Sequence, residues 1–218
     1  MGRGLYSLPD IDVEPDGLFF DPDSVVVTPI REDQEYQGQR AKFAAFLGKA
    51  RIPLQIDVAF GDVVTPRAKK ISYPTLLDFP APIIKACPKE TVVAEKLQAM
   101  VILGIANSRM KDFYDLYVLA RDFDFYGNTL IRAIDATFRR RKTNIPIKPP
   151  MALTDEFGRD EVKSVQWTAF VRKSNLENCV PEFLELLSRL RDFLLDPMKA
   201  ASGYDRIPKS WVKDGPWS

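Results

Sequence analysis

The chain reads as α+β, with an antiparallel or mixed sheet first and a helical part after it. Three observations carry this expectation. Short β-rich runs bounded by turn residues fill the first third, a proline-punctuated connector follows at 72–88, and helical periodicity then takes over toward the end. We therefore expect a β-rich part over 1–87, a helical part packed on it over 88–199, and a flexible tail over 200–218. At 218 residues and 45% hydrophobic content the chain can bury a real core.

In chain order, 17–20 and 25–30 are β-rich runs separated by a turn-like Asp-Pro-Asp-Ser, and 36–38 has turn composition. The next stretch suggests a hairpin, 40–47 and 52–60 joined tightly through 48–50. In its second strand Leu54, Ile56 and Val58 alternate onto one face, so Gln55 and Asp57 project from the other. Five helices are predicted, over 88–103, 109–120, 127–140, 161–171 and 181–195, with a polar, proline-rich break at 144–150. From residue 200 the run of Gly203, Pro208, Gly215 and Pro216 has the composition of a poorly ordered tail.

Composition narrows the chemistry. Basic and acidic residues balance at 31 against 30, so any nucleic-acid contact is local rather than a property of the whole surface. The absence of histidine removes serine–histidine and cysteine–histidine catalysis and every histidine-dependent zinc site. Cys87 and Cys179 have no metal-site spacing and fit a reduced setting, as ordinary packing residues. No apolar run reaches membrane-spanning length and the start lacks a signal-peptide core, so we expect a cytoplasmic protein without membrane contact.

Charges on otherwise apolar helices mark the candidate site. Lys96 has Val92 and Met100 four residues away and Val93 and Ala99 three away, so its helical neighbours are apolar. In the next helix only Lys111, Asp112 and Asp115 break an apolar run. Such charges must be paired or hold a ligand, because a bare ion away from water is too costly. Lys96 is either a phosphate or nucleotide ligand or the partner of Asp115, Asp112 or Glu95, and Asp115 calls for a cation such as Lys96 or Arg109. Asp112 also suits the positive end of a helix capped by Asn107 or Ser108. Asp57, followed by Gly61 and Asp62, can offer one oxygen to Mg²⁺ or simply cap a strand end. Arg139, Arg140, Arg141 and Lys142 end a helix, where cations suit its dipole; with Arg67, Lys69 and Lys70 they offer a patch for an RNA backbone.

Three segments together carry a family resemblance: Leu54 to Asp62, Glu90 to Met100 with its Ala-Glu-Lys, and Asn107 to Leu116 with its Lys-Asp-x-x-Asp. They resemble the AbiEii-type nucleotidyltransferase toxins of bacterial toxin–antitoxin and phage-defence systems, from about residue 16 to about residue 195. The resemblance implies a fold like that of DNA polymerase β with a helical C-terminal part, and transfer of a nucleotide from an NTP to an acceptor, in relatives often a tRNA or other RNA. It implies Mg²⁺ and NTP as cofactor and substrate, and a cognate antitoxin as partner. Lys96, with Lys111 and Arg109, corresponds to the nucleotide-contacting side, Asp112 or Asp115 to the aspartate that partners the lysine, and Asp57 to the strand carboxylate.

The family pattern also has a glycine-rich segment followed by Asp-x-Asp near its N-terminus. Here Asp10 and Asp12 have that spacing without a preceding strand or glycine turn, so we read them as coincidental and expect the catalytic segment to be missing. On that expectation the chain is a weak or inactive transferase. Two rival readings remain: a non-catalytic remnant that binds a partner protein or RNA, and a metal-dependent nuclease using Asp57 with Asp112 or Asp115, which lacks a general base.

Overall fold

A computed structural model describes residues 15–30, 38–61, 64–204 and 207–218. Asp10, Asp12 and Asp62 lie outside them. Five strands precede the first helix and only two short strands follow it, so the fold is α+β among the described residues, and the chain divides into two compact units, Met1–Asp62 and Val63–Ser218.

The first unit is a three-stranded antiparallel sheet in the order β1 (Leu18–Ile30), β2 (Gly38–Leu47), β3 (Ala50–Ala59). Gly48 and Lys49 alone join β2 to β3, and Gly48 takes φ +58°, the left-handed conformation required at the first central position of a type II′ turn. The register sets Ala45 opposite Ile52, Phe43 opposite Leu54 and Ala41 opposite Ile56, which makes one face apolar. Arg40 opposite Asp57 and Lys42 opposite Gln55 make the other face polar. The two runs expected over 17–20 and 25–30 form a single strand instead. Their turn-like Asp-Pro-Asp-Ser is a bulge: Ser24 Oγ donates to Asp21 O at 2.6 Å and accepts from Ala44 N of β2 at 2.8 Å, which ties the extra residues to the ladder.

The second unit begins with a two-stranded ribbon, β4 (Lys69–Ser72) and β5 (Ile83–Ala86); β4 ends where the connector expected over 72–88 starts, and β5 lies within it. Among the described residues six α-helices follow: α1 (Lys89–Leu103), α2 (Met110–Asp122), α3 (Gly127–Arg140), α4 (Asp155–Arg159), α5 (Glu161–Lys173) and α6 (Phe183–Ala201). α1 packs along α3, while α2 and α3 both pack on α6, and α4 and α5 close against α2 and α6. Their apolar faces meet in one core that includes Leu97, Phe113, Ile134, Phe157, Leu186 and Phe193. Among the described residues, no helix is long and apolar enough to cross a membrane.

The expected tail is the largest departure. β7 (Ser210–Trp211) pairs with β6 (Phe125–Tyr126), and Trp211 is buried against Phe193. The physical reason lies in unsatisfied helix carbonyls. Trp211 Nε1 and Asp214 N both donate to Ala120 O in the last turn of α2, at 2.7 and 3.0 Å. Pro197 inside α6 lacks the N–H that would reach back to Phe193 O, and Trp217 Nε1 donates to that carbonyl at 2.8 Å. α6 therefore continues past the proline to Ala201, beyond the end at 195 that the sequence predicts. Gly127 is needed at this junction, because a Cβ there would stand 1.7 Å from Pro208 O.

Candidate functional site

Lys96 sits at the midpoint of α1, at the edge of the face that carries Val93, Leu97 and Met100 into the core. α2 crosses it with Asp112 and Asp115, three residues apart and so on one side of that helix. Lys96 Nζ makes a short hydrogen bond to Asp112 Oδ1 and lies 2.8 Å from Asp115 Oδ2. Lys111, one turn before Asp115, adds contacts of 2.9 and 2.7 Å to the two Asp115 oxygens. The sequence left open which acid Lys96 meets; the fold brings both aspartates to it. Arg109 stands exposed as the N-cap residue of α2, and its backbone N–H is accepted by Asn107 Oδ1 at 2.9 Å, so Asn107 organises the helix start two residues ahead of the cap, and neither Asn107 nor Ser108 caps the helix.

Solvent reaches the four charges unequally. The side chains of Lys96, Asp112 and Asp115 are 18%, 17% and 23% exposed, against 72% for Lys111. Burial pulls the Lys96 ammonium down, but hydrogen bonds and charge from Asp112 and Asp115 outweigh it and hold the group above its ordinary value. Burial likewise pushes the Asp115 carboxyl up. Hydrogen bonds from Lys111 and Lys96, with their charges, win and hold it below the ordinary carboxylate value.

Asp57 belongs to the other unit and meets a cation, not another acid. Arg40, its register partner on β2, donates from Nε and Nη2 to the two carboxylate oxygens, both at 2.8 Å, and these bonds hold the carboxyl low. The basic run at the end of α3 is partly committed. Arg139 bonds Asp135 one turn back, and Arg141 Nη1 donates to Gln98 Oε1 at 2.8 Å, while Gln98 Nε2 donates to Thr143 Oγ1 at 2.8 Å. Lys69 and Lys70 are exposed on β4.

Sequence reasoning missed Lys163. It lies in the first turns of α5, is 6% exposed, and its Nζ donates to Asn107 O at 3.0 Å. The signal was present: Lys163, Trp167 and Val171 recur at four-residue spacing on the buried face of α5.

The described carboxylates do not fit a magnesium site. No group of three or more Asp, Glu, Cys or His residues comes together among the described residues, Asp57 is gripped at both oxygens by Arg40, and Asp112 and Asp115 share one lysine. What the α1–α2 arrangement offers chemically is an ammonium fixed between two carboxylates, beside one exposed lysine. Compared with known proteins, the chain matches the model of a family described as nucleotidyl transferase AbiEii toxin, Type IV TA system, over residues 8–189. No curated protein and no solved structure matches it.

Proposed function

Because the chain belongs to the AbiEii nucleotidyl transferase toxin family of type IV toxin–antitoxin systems, we propose that it transfers a nucleotide from an NTP to an acceptor, with Lys96, Lys111, Asp112 and Asp115 lining the phosphate side of the site. The observation that carries this reading is a lysine held half-buried on one helix by two carboxylates of the next. A charge fixed in that way needs no reorganisation when phosphate charge develops near it. Lys111 is the exposed member, and turning it from Asp115 to an incoming triphosphate costs little, since exposed ion pairs are weak. Arg109 is exposed beside it and supplies a guanidinium for a second phosphate oxygen. In the reaction an acceptor oxygen bonds to the α-phosphorus as the bond to the β-phosphate oxygen breaks, and pyrophosphate leaves. Family members generally use Mg²⁺, but the described carboxylates do not form its site, so no step is routed through the ion.

An RNA such as a tRNA is the acceptor on this reading, met by Arg139, Arg140, Arg141 and Lys142, and a cognate antitoxin restrains the protein. The test is incubation of the full chain with each α-labelled NTP and bulk tRNA. In keeping with the weak activity expected from the sequence, label should enter RNA slowly, with one NTP, and fall at least tenfold further in Lys96→Ala. Transfer by Lys96→Ala at the unsubstituted rate would sink the assignment.

One observation favours a second reading. Two lysines and two aspartates neutralise one another completely, as a brace in a non-catalytic member that binds a partner protein or RNA would. Lys96→Ala separates the two: lost NTP binding at an unchanged melting temperature supports transfer, whereas a lower melting temperature, with no NTP bound by the unsubstituted chain, supports the brace.

A further inference from the structure

We infer that Lys163 is a positioning residue for the Lys96–Asp112–Asp115 network: from α5 it holds the Asn107 carbonyl and thereby sets where α2 begins relative to α1. The α1–α2 connection buries one residue of its middle stretch. Across 105–109, Asn107 is buried and its four neighbours are exposed. Three hydrogen bonds of this segment converge on Asn107. Its N–H donates to Gly104 O at 3.2 Å, its Oδ1 accepts from Arg109 N, and its carbonyl takes the Lys163 ammonium at 3.0 Å.

The ammonium is an expensive way to hold a carbonyl. Lys163 meets that oxygen and, 5.2 Å away, the face of the Phe157 ring, and forms no ion pair among the described residues. A buried cation without a carboxylate costs free energy that an apolar side chain of similar length would not. Asn107 Nδ2 is itself buried and unpaired, and so is Gln166 Oε1 one turn beyond Lys163, so the local hydrogen bonding is already incomplete. A site that tolerates these costs gains a rigid start to α2. Asp112 N bonds Arg109 O at 2.8 Å, so a shift at Asn107 passes directly to the turn that carries Lys111 and Asp112. Further along, Tyr114 of α2 packs on Phe170 of the same α5, with ring centroids 5.9 Å apart. α5 therefore grips α2 at its start and along its side, and Lys163 makes the grip at the start.

The inference rests on the nucleotidyltransferase reading only for its effect on nucleotide use, and its geometric content is testable without it. In the full chain labelled with ¹⁵N-lysine, the Lys96 ammonium, held by two carboxylates, should give a slowly exchanging Nζ–H cross peak. We expect Lys163→Met to lose that peak, Lys163→Arg to restore it, and Leu190→Ala, a destabilising change in the α6 core, to keep it. A folded Lys163→Met protein that retains the peak overturns the inference, as does its loss in Leu190→Ala. If Lys163→Met does not fold, Lys163→Gln is read in the same way, and failure of both to fold assigns Lys163 a purely structural role. With an active enzyme, Lys163→Met should raise KM for the NTP about tenfold more than it lowers kcat. Absence of transfer by the unsubstituted chain removes the functional reading and leaves the cross-peak test standing.

Discussion

Asp115 is the most loaded single residue, since it accepts from Lys96 and Lys111 and is only partly open to water. Its depressed carboxyl and the raised Lys96 ammonium fix the sign of the pH response. Stability from Asp115 is present above the unfolded carboxylate value, about 4, and is lost as pH falls through the lower folded value. Stability from Lys96 is present below the unfolded lysine value, about 10.4, and is lost as pH rises through the higher folded one. Between the two limits this network contributes a flat plateau. We expect Asp115→Asn to cost about 1–2 kcal/mol at pH 7, less than loss of a fully buried partner because Asp112 still meets Lys96 and water reaches the site. Its melting temperature should also fall less steeply than that of the unsubstituted chain below about pH 4. An identical acid limb in melts of the two proteins would refute the role given to Asp115.

The helix that presents this residue is held from behind by aromatic packing. Phe113, fully buried one residue after Asp112, stacks on Phe157 of α4 at 5.6 Å and meets Phe183 of α6 edge-on at 5.5 Å. Trp167 of α5 stacks on the same Phe183 at 5.1 Å. One face of α2 is thus locked to α4 and α6, with α5 backing the same cluster, while the adjacent face displays charge toward α1. Phe113→Ala should cost about 3–5 kcal/mol through lost burial and a residual cavity, measurable by denaturant unfolding. A cost below about 1 kcal/mol would mean that the cluster is not what holds α2.

At the scale of the whole molecule, the C-terminal residues complete two helices that end or break without partners. Trp217→Phe keeps the stacking on Phe193 but removes the donor to its carbonyl, and should cost about 1–3 kcal/mol. Adding Pro197→Ala supplies an N–H to that carbonyl from within α6. The double variant should therefore be more stable than the additive expectation by about 0.5 kcal/mol or more. Strict additivity of the two unfolding free energies would show that Trp217 is not compensating the proline.

Much of this was legible in local pattern. Period-two alternation and Gly48 announced the β2–β3 hairpin and put Asp57 on the polar face, because strand geometry fixes which side chains share a side. Helical spacing placed Lys96 on one helix and Lys111, Asp112 and Asp115 on the next, and the cost of a buried ion required that they be paired or occupied. Local pattern does not say which segments distant in sequence become neighbours. That both aspartates share Lys96, that Arg40 occupies Asp57, that Lys163 reaches Asn107 across the second unit, and that a glycine- and proline-rich ending docks on α2 and α6, were decided by the tertiary structure. The reason is physical: pattern records which groups need a partner, and only the packed chain supplies it.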